Sequence, residues 1–205
     1  MQRRKMINYI LDSTLRLFIH LEPRLRWKYY NLRNQMIVQK MQSCGTGCML
    51  HGKVTIVYPE HLSLGNNVHI GNNALIDALG GVTIGDNTHI SRNLTIYSCN
   101  HNYEGKVLPY DSISIRKPIA IGRNVWIGAD VKVIPGVAIG DGAIIGMGVV
   151  VSKDVPPLAV VVGQPFRIIK YRDKQRYSKL EESALYGGVN GLPLRQSEER
   201  NEQPH

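Results

Sequence analysis

Aliphatic residues recur at every sixth position over most of the chain from residue 62 onward. Leu64, Ile70, Ile84, Ile121, Ile127, Ile139 and Ile145 are each followed by glycine, and Ile76, Ile90, Ile96, Val133 and Val151 hold the same place without it. Two positions earlier stands a smaller or aliphatic residue: Leu62, Val68, Ala74, Val82, Thr88, Leu94, Val125, Val131, Val137, Ala143 or Val149. A helix would repeat near 3.6 and a single half-buried strand at 2. Six is a multiple of two, so each aliphatic pair can face inward along a short strand. Three such strands close a triangular coil of about 18 residues, and coils stack at the interstrand spacing of about 4.8 Å. The pattern therefore predicts an all-β parallel β-helix. Glycine beside the aliphatic residue permits close approach at a corner.

The interruptions of the period are informative. Two extra residues enter between Ile76 and Ile84, at Gly80-Gly81, and the repeat then breaks between Ile96 and Ile121. If Ile121 resumes the triangle, residues 97–118 leave the coil as one excursion. An irregular loop of that length in a compact domain is usually functional. Before the repeat, Ile7, Ile10, Leu11, Thr14, Phe18 and Leu21 recur at helical spacing, which predicts a helix over 5–21. Glu22-Pro23 punctuates it, and Leu25, Tyr29, Leu32, Met36 and Ile37 predict a second helix over 24–41. Pro156-Pro157 ends the coil, a cap follows at Val160–Pro165, a helix is expected over about 170–185, and the polar stretch from Gly187 reads as a flexible tail. The chain thus divides into an arm over 1–45, a coil over 46–165 carrying the loop 97–118, and a helix with tail over 166–205.

Composition agrees with a narrow aliphatic interior: aromatics are 7% of the 205 residues, while 20 are glycine. Three cysteines give no disulfide framework, and Cys44 and Cys48 lack a second pair to complete a zinc site, so no metal is expected. No apolar run reaches the roughly 20 residues of a spanning helix. The net charge of +9 is concentrated: residues 1–42 hold nine Lys/Arg against two Asp/Glu. The basicity belongs to the arm, either as a solvated face or as an attraction for anionic lipid or an anionic glycan carrier; the alternative for the arm's helices is that they pack against the coil and close its open end. A cytoplasmic protein is expected, with residues 1–42 as the segment that would make peripheral contact with the inner membrane face. No nucleic-acid partner is expected.

Four stretches carry a family resemblance: NVWIGADVKVIPGVAIGDGAIIGMGVVVSKDVPP at 124–157, VGQPFRIIKYR at 162–172, IDALGGVTIGD at 76–86 and YSCNHNY at 97–103. Together they make the chain resemble the hexapeptide-repeat acyltransferases, and among them the maltose, galactoside and bacterial surface-polysaccharide O-acetyltransferases. The resemblance implies a left-handed coil, a homotrimer, and acetyl-CoA as acyl donor. It implies an acetyl group transferred to a sugar hydroxyl of a surface polysaccharide or its lipid-linked precursor. The N-terminal acceptor-binding segment of the maltose-type enzymes has no counterpart in residues 1–45.

Acyl transfer from a thioester to a hydroxyl needs a base for the hydroxyl proton. His101 is the one histidine of the excursion, matches the family's base, and histidine titrates near neutral pH. Glu104, Asp111 or a backbone carbonyl could hold its tautomer. Asp77 and Tyr97 follow Ile76 and Ile96 at one corner of successive coils, and with Tyr103 they are candidate acceptor contacts. Trp126 should face outward; the resemblance places it in the active-site cleft, with trimer packing as the alternative. His69 and His89 occupy the equivalent outward positions in the two earlier coils and read as interface residues. The resemblance assigns Ala129, Gly146 and Met147 to the pantetheine arm of coenzyme A. It assigns Lys153, Arg167 and Lys170 to its phosphates, with Ser152 as a hydrogen-bond partner. A covalent route through Cys99, an amino-sugar N-acetyltransferase, a drug O-acetyltransferase, a carbonic anhydrase on the same helix and a non-catalytic assembly subunit are the competing readings.

Overall fold

The computed structural model describes residues 21–103, 110, 112–163 and 166–185. Its centre is a triangular β-helix whose three faces are parallel sheets. The first face carries Ser43–Cys44, Leu62–Leu64, Val82–Ile84, Ile119–Ile121 and Ala138–Ile139. The second carries Met49–Leu50, His69–Ile70, His89–Ile90, Trp126–Ile127, Ile144–Ile145 and Ala159–Val162. The third carries Val54–Val57, Ala74–Asp77, Thr95–Tyr97, Lys132–Val133 and Val150–Val151. The architecture matches the left-handed β-helix of hexapeptide repeats.

The six-residue period is the core itself. Leu64, Ile84, Ile121 and Ile139 lie in register up the first face, Ile70, Ile90, Ile127, Ile145 and Val161 up the second, and Ile76, Ile96, Val133 and Val151 up the third. All are buried. On the first two faces most of these residues are followed by glycine, because the next coil lies directly over that position. A Cβ on Gly71 would stand 2.5 Å from the Ser91 carbonyl carbon, and one on Gly128 2.7 Å from the Met147 nitrogen.

Corners turn through residues with positive φ, where asparagine is favoured after glycine. Asn67, Asn73, Asn87, Asn93, Asn124 and Asp130 all sit there. Several also bond to the coil above: Asn73 Nδ2 donates to Asn93 Oδ1 at 3.1 Å, and Asn93 Nδ2 to Asp130 Oδ1 at 2.8 Å. Coil length changes along the axis. Register partners are 20 residues apart in the early coils, as in His69↔His89, 18 in the later ones, as in Trp126↔Ile144, and 16 in the last, as in Ile144↔Val160. Across the excursion the offset is 37, as in His89↔Trp126, with Ile121 back in register on Ile84. The triangle does resume where it was left.

A coil precedes the stretch that the Ile-Gly pairs mark. Cys44, Leu50 and Ile56 align with Leu64, Ile70 and Ile76 and are partly buried against the core. Below this coil the sheets have a bare edge. The downward carbonyls of Leu50 and Gly52 each accept from Asn34 Nδ2 at 2.9 Å, and that of Val54 from the Arg33 guanidinium at 2.6 Å. Both side chains come from a helix over 21–38, so the helix satisfies polar groups that a missing coil would otherwise bond. It runs through Glu22-Pro23 and stops at 38, whereas the sequence predicts a helix over 24–41. The expected helix over 5–21 lies, apart from Leu21, outside the described residues.

At the other end Arg167–Tyr171 pairs antiparallel with Ala159–Val162, and buried Phe166 closes the core. The helix expected from about 170 is Lys174–Glu182; its start is delayed because 167–171 cover the edge of the last coil as a strand. Asp173 caps the helix by accepting from Arg176 N–H at 2.8 Å. The helix is tied to the coil by Arg123 and Glu181 at 2.7 Å and by Asn124 Nδ2 donating to Tyr177 Oη at 2.9 Å. The tail expected from Gly187 lies outside the described residues.

Ile127 is fully buried between Ile90 and Ile145. Truncating it leaves a void that stacked coils cannot collapse around. Ile127→Ala is expected to lower unfolding stability by about 2–5 kcal/mol, read from urea or thermal denaturation.

Candidate active site

The excursion leaves the coil at the corner between the third and first faces, and its root is tightly held. Buried Ser98 donates from Oγ to the Asp77 carbonyl at 2.9 Å and accepts from Gly80 N–H at 2.8 Å. Its own N–H bonds the same Asp77 carbonyl at 3.0 Å, and its carbonyl accepts from Lys117 N–H at 2.8 Å. Ser98 thus joins the outgoing strand to the returning one. Gly80 must be glycine, because a Cβ there would run into the Ser98 carbonyl oxygen. This clamp has no signal in the six-residue period, although the Gly80-Gly81 pair marks its place.

Beyond the clamp, Cys99–His101 and Ser114–Arg116 form an antiparallel pair with His101 opposite Ser114. His101 therefore sits on an ordered two-stranded projection. Its backbone N–H donates to Asn100 Oδ1 at 2.9 Å, and its exposed ring stacks on Tyr110, centroid to centroid 3.8 Å at 12°. The stack restrains the imidazole plane while leaving its edge to solvent. Sequence reasoning places Tyr110 in the excursion but gives it no part beside His101. Glu104 and Asp111, the expected partners of the imidazole, lie outside the described residues.

Asp77 and Tyr97 are register partners at the foot of this projection, as their common position after Ile76 and Ile96 predicts. Asp77 Oδ1 accepts from Leu79 N–H at 3.0 Å and from the Cys99 thiol at 3.8 Å. Burial and the neighbouring Asp77 carboxylate raise the Cys99 pKa. A thiol held protonated is a poor nucleophile, which weighs against the covalent route. Tyr97 and Tyr103 are both exposed, Tyr103 the more so.

The remaining candidates lie elsewhere on the prism. Trp126 is on the second face, 59% exposed, in register with His89 below and Ile144 above. The rings of His69 and His89 stack at 4.3 Å and 7°, and His51 meets His69 edge-on at 5.9 Å. His69 stands on the outer side of the sheet in register with His89 and Trp126, as expected, but it is buried because the neighbouring rings cover it within one chain. Ala129, Gly146 and Met147 line the next corner: the Ala129 carbonyl accepts from Gly148 N–H at 2.8 Å, and Met147 projects freely. Ser152 follows the last third-face strand. Lys153 places its ammonium 5.0 Å above the Phe166 ring, and Arg167 and Lys170 are exposed on the capping strand. One chain therefore gathers His101, Asp77 and Tyr97 about one corner, and sets Trp126 and Met147 on and beside a different face.

Two family models match: bacterial transferase hexapeptide (six repeats) over residues 118–153, and hexapeptide repeat of succinyl-transferase over 61–98. The chain is 33% identical to the solved maltose O-acetyltransferase from Clostridium difficile 630. The TM-score is 0.65, with 71% of this chain and 77% of that one covered. The chain belongs to the hexapeptide-repeat acyltransferase family. Among its members, a galactoside acetyltransferase solved in complex with coenzyme A is 32% identical, with a TM-score of 0.63 over 71% of this chain and 72% of that one. Galactoside O-acetyltransferase of Escherichia coli (strain K12) is 41% identical over an alignment of 131 residues that covers 59% of this chain. The chain spans 64% of that relative's length. Of the described residues, no helix is long and apolar enough to cross a membrane.

The histidine stack gives a pH signature of the fold. Burial first, then the charges of His89 and His51, lower the His69 pKa from 6.5 to about 4, and burial likewise lowers that of His89. The folded form then binds fewer protons than the unfolded chain between these values, so stability rises with pH there. This contribution is complete above about pH 6.5 and is lost as pH falls toward about 4. Thermal melts should show the midpoint falling by several degrees over that window, with a shallower fall in His69→Gln.

Proposed function

We propose that this chain is an acetyl-CoA-dependent O-acetyltransferase whose acceptor is a sugar hydroxyl, of a surface polysaccharide or its precursor at the cytoplasmic face of the membrane. The observation that carries the reading is His101. It is an exposed imidazole stacked on Tyr110 and raised on a clamped strand pair, in a family of acyltransferases. The neutral imidazole takes the proton of the acceptor hydroxyl as its oxygen attacks the thioester carbonyl. The tetrahedral intermediate collapses, the C–S bond breaks, and the proton passes to the departing thiolate to give coenzyme A and the acetyl ester. Asp77, Tyr97 and Tyr103 surround the acceptor. Gly146, Met147 and the Ala129 backbone line the path of the pantetheine arm. Lys153, Arg167 and Lys170 meet the phosphates of coenzyme A, with Ser152 beside them.

The family resemblance implies a homotrimer, and this division of labour fits a cleft shared between copies. Trp126 and His101 stand on different parts of one prism, so a cleft using both forms between neighbouring copies. An exposed tryptophan on a flat sheet face suits such an interface. Light scattering at micromolar concentration should report three copies, and a monomer there would contradict the shared cleft.

His101→Ala should lower the rate of thiol release from acetyl-CoA, with a galactoside or glucoside acceptor, by roughly 10²–10⁴. A variant keeping more than about a tenth of the parent rate, with an unchanged melting curve, would remove His101 from the role of base. An acceptor screen under the same assay tests the sugar reading independently of that residue.

A further inference from the structure

The helix over 21–38 has two working faces, and the coil uses one. Asn34 and Arg33 bind the bare carbonyls of the first coil, and Asn34, Tyr30, Ile37 and Val38 are buried or half-buried. At 3.6 residues per turn, Leu21, Leu25, Tyr29, Leu32 and Met36 fall within one arc of about 80° on the opposite side. Leu25, Leu32 and Met36 are 61%, 54% and 62% exposed. Five large apolar side chains in one stripe facing water are not needed to fix the helix, since its other side already does so.

The charge around the stripe identifies what covers it. Arg24 and Lys28 border it on one side and Arg26 on the other, and the single acid of the helix, Glu22, pairs with Arg26 at 3.6 Å. The preceding twenty residues add Arg3, Arg4, Lys5 and Arg16 against Asp12. An apolar stripe between cations has the pattern of a helix lying in a bilayer interface, with its apolar side among acyl chains and its cations among anionic headgroups. A second copy of this chain would bring the same positive borders together, which repel. We propose that the outer face of this helix docks the protein in the plane of an anionic lipid bilayer, with the axis end of the first coil toward the membrane. The inference goes beyond the acetyltransferase reading and stands whether or not that reading holds, because binding needs no turnover.

Co-sedimentation of the full chain with vesicles tests it. One set is phosphatidylcholine alone and the other phosphatidylcholine mixed with phosphatidylglycerol. The parent should pellet with the mixed vesicles at low salt, at least tenfold more strongly than with phosphatidylcholine. It should be released at high salt, where screening shortens from about 10 Å to about 3 Å. Leu25→Glu with Leu32→Glu, both at exposed positions, should weaken binding at least tenfold with an unchanged melting curve, and Arg24→Glu with Lys28→Glu should do the same. Binding equal in parent and stripe variant would overturn the proposal, as would no binding to either vesicle at low salt. A smaller oligomer in the stripe variant without vesicles would assign the face to a second copy. A large drop in its melting temperature would assign the face to the chain's own preceding segment. Either result also overturns membrane docking.

Discussion

Every feature of this molecule depends on the vertical stacking of aliphatic side chains, coil upon coil, inside a triangle too narrow for anything else. A coil of 18 or 20 residues cannot bury its own inward side chains. Its neighbours above and below do so, and the core is therefore a column with no bulky centre. The column demands register, and register demands the local chemistry seen at each corner. On the first two faces the glycine after the core residue lies against the next coil, and the turn beyond it needs positive φ, which asparagine tolerates while bonding upward to its counterpart. The same stacking leaves two bare ends. A helix that supplies Asn34 and Arg33 closes one, and an antiparallel strand with Phe166 closes the other.

A rigid prism with short corners offers few places for a projection, and among the described residues this chain carries one at the corner after Tyr97. Ser98 ties both feet of the excursion to the coil, so the strand pair beyond it is positioned by the core and not by its own few contacts. His101 inherits that position, and Tyr110 restrains its ring. The prism also separates residues. Side chains on different faces of one chain cannot meet through a filled core, and the division between the His101 corner and the Trp126 face is what makes a shared cleft the natural reading.

The two capped ends differ in what they leave outside. The C-terminal helix turns Tyr177 and Glu181 back toward Arg123 and Asn124, so its polar residues are spent on the coil. The N-terminal helix uses Asn34 and Arg33 to hold the coil and leaves Leu25, Leu32 and Met36 in water. That inversion of the usual amphipathic arrangement is the physical ground for assigning it a lipid-facing side.

The coil was legible in the sequence because its period is dictated by local geometry: any residue at Ile70, Ile90 or Ile127 meets the same surroundings, so each position carries the same preference. His101 was legible as a titratable residue in the one long break of that period. The first coil was harder to read, because Cys44, Leu50 and Ile56 keep the spacing while only Cys44 precedes a glycine. The helix limits near 38 and 174 were set by which bare edges needed covering, a demand that arises only once the coils are stacked. So too the burial of His69, the Ser98 clamp and the Tyr110 stack depend on neighbours 9 to 21 residues away. Spacing along the chain determined which side chains point inward; the three-dimensional closure of the triangle decided which outward ones share a corner, because contacts between coils join residues that no local pattern relates.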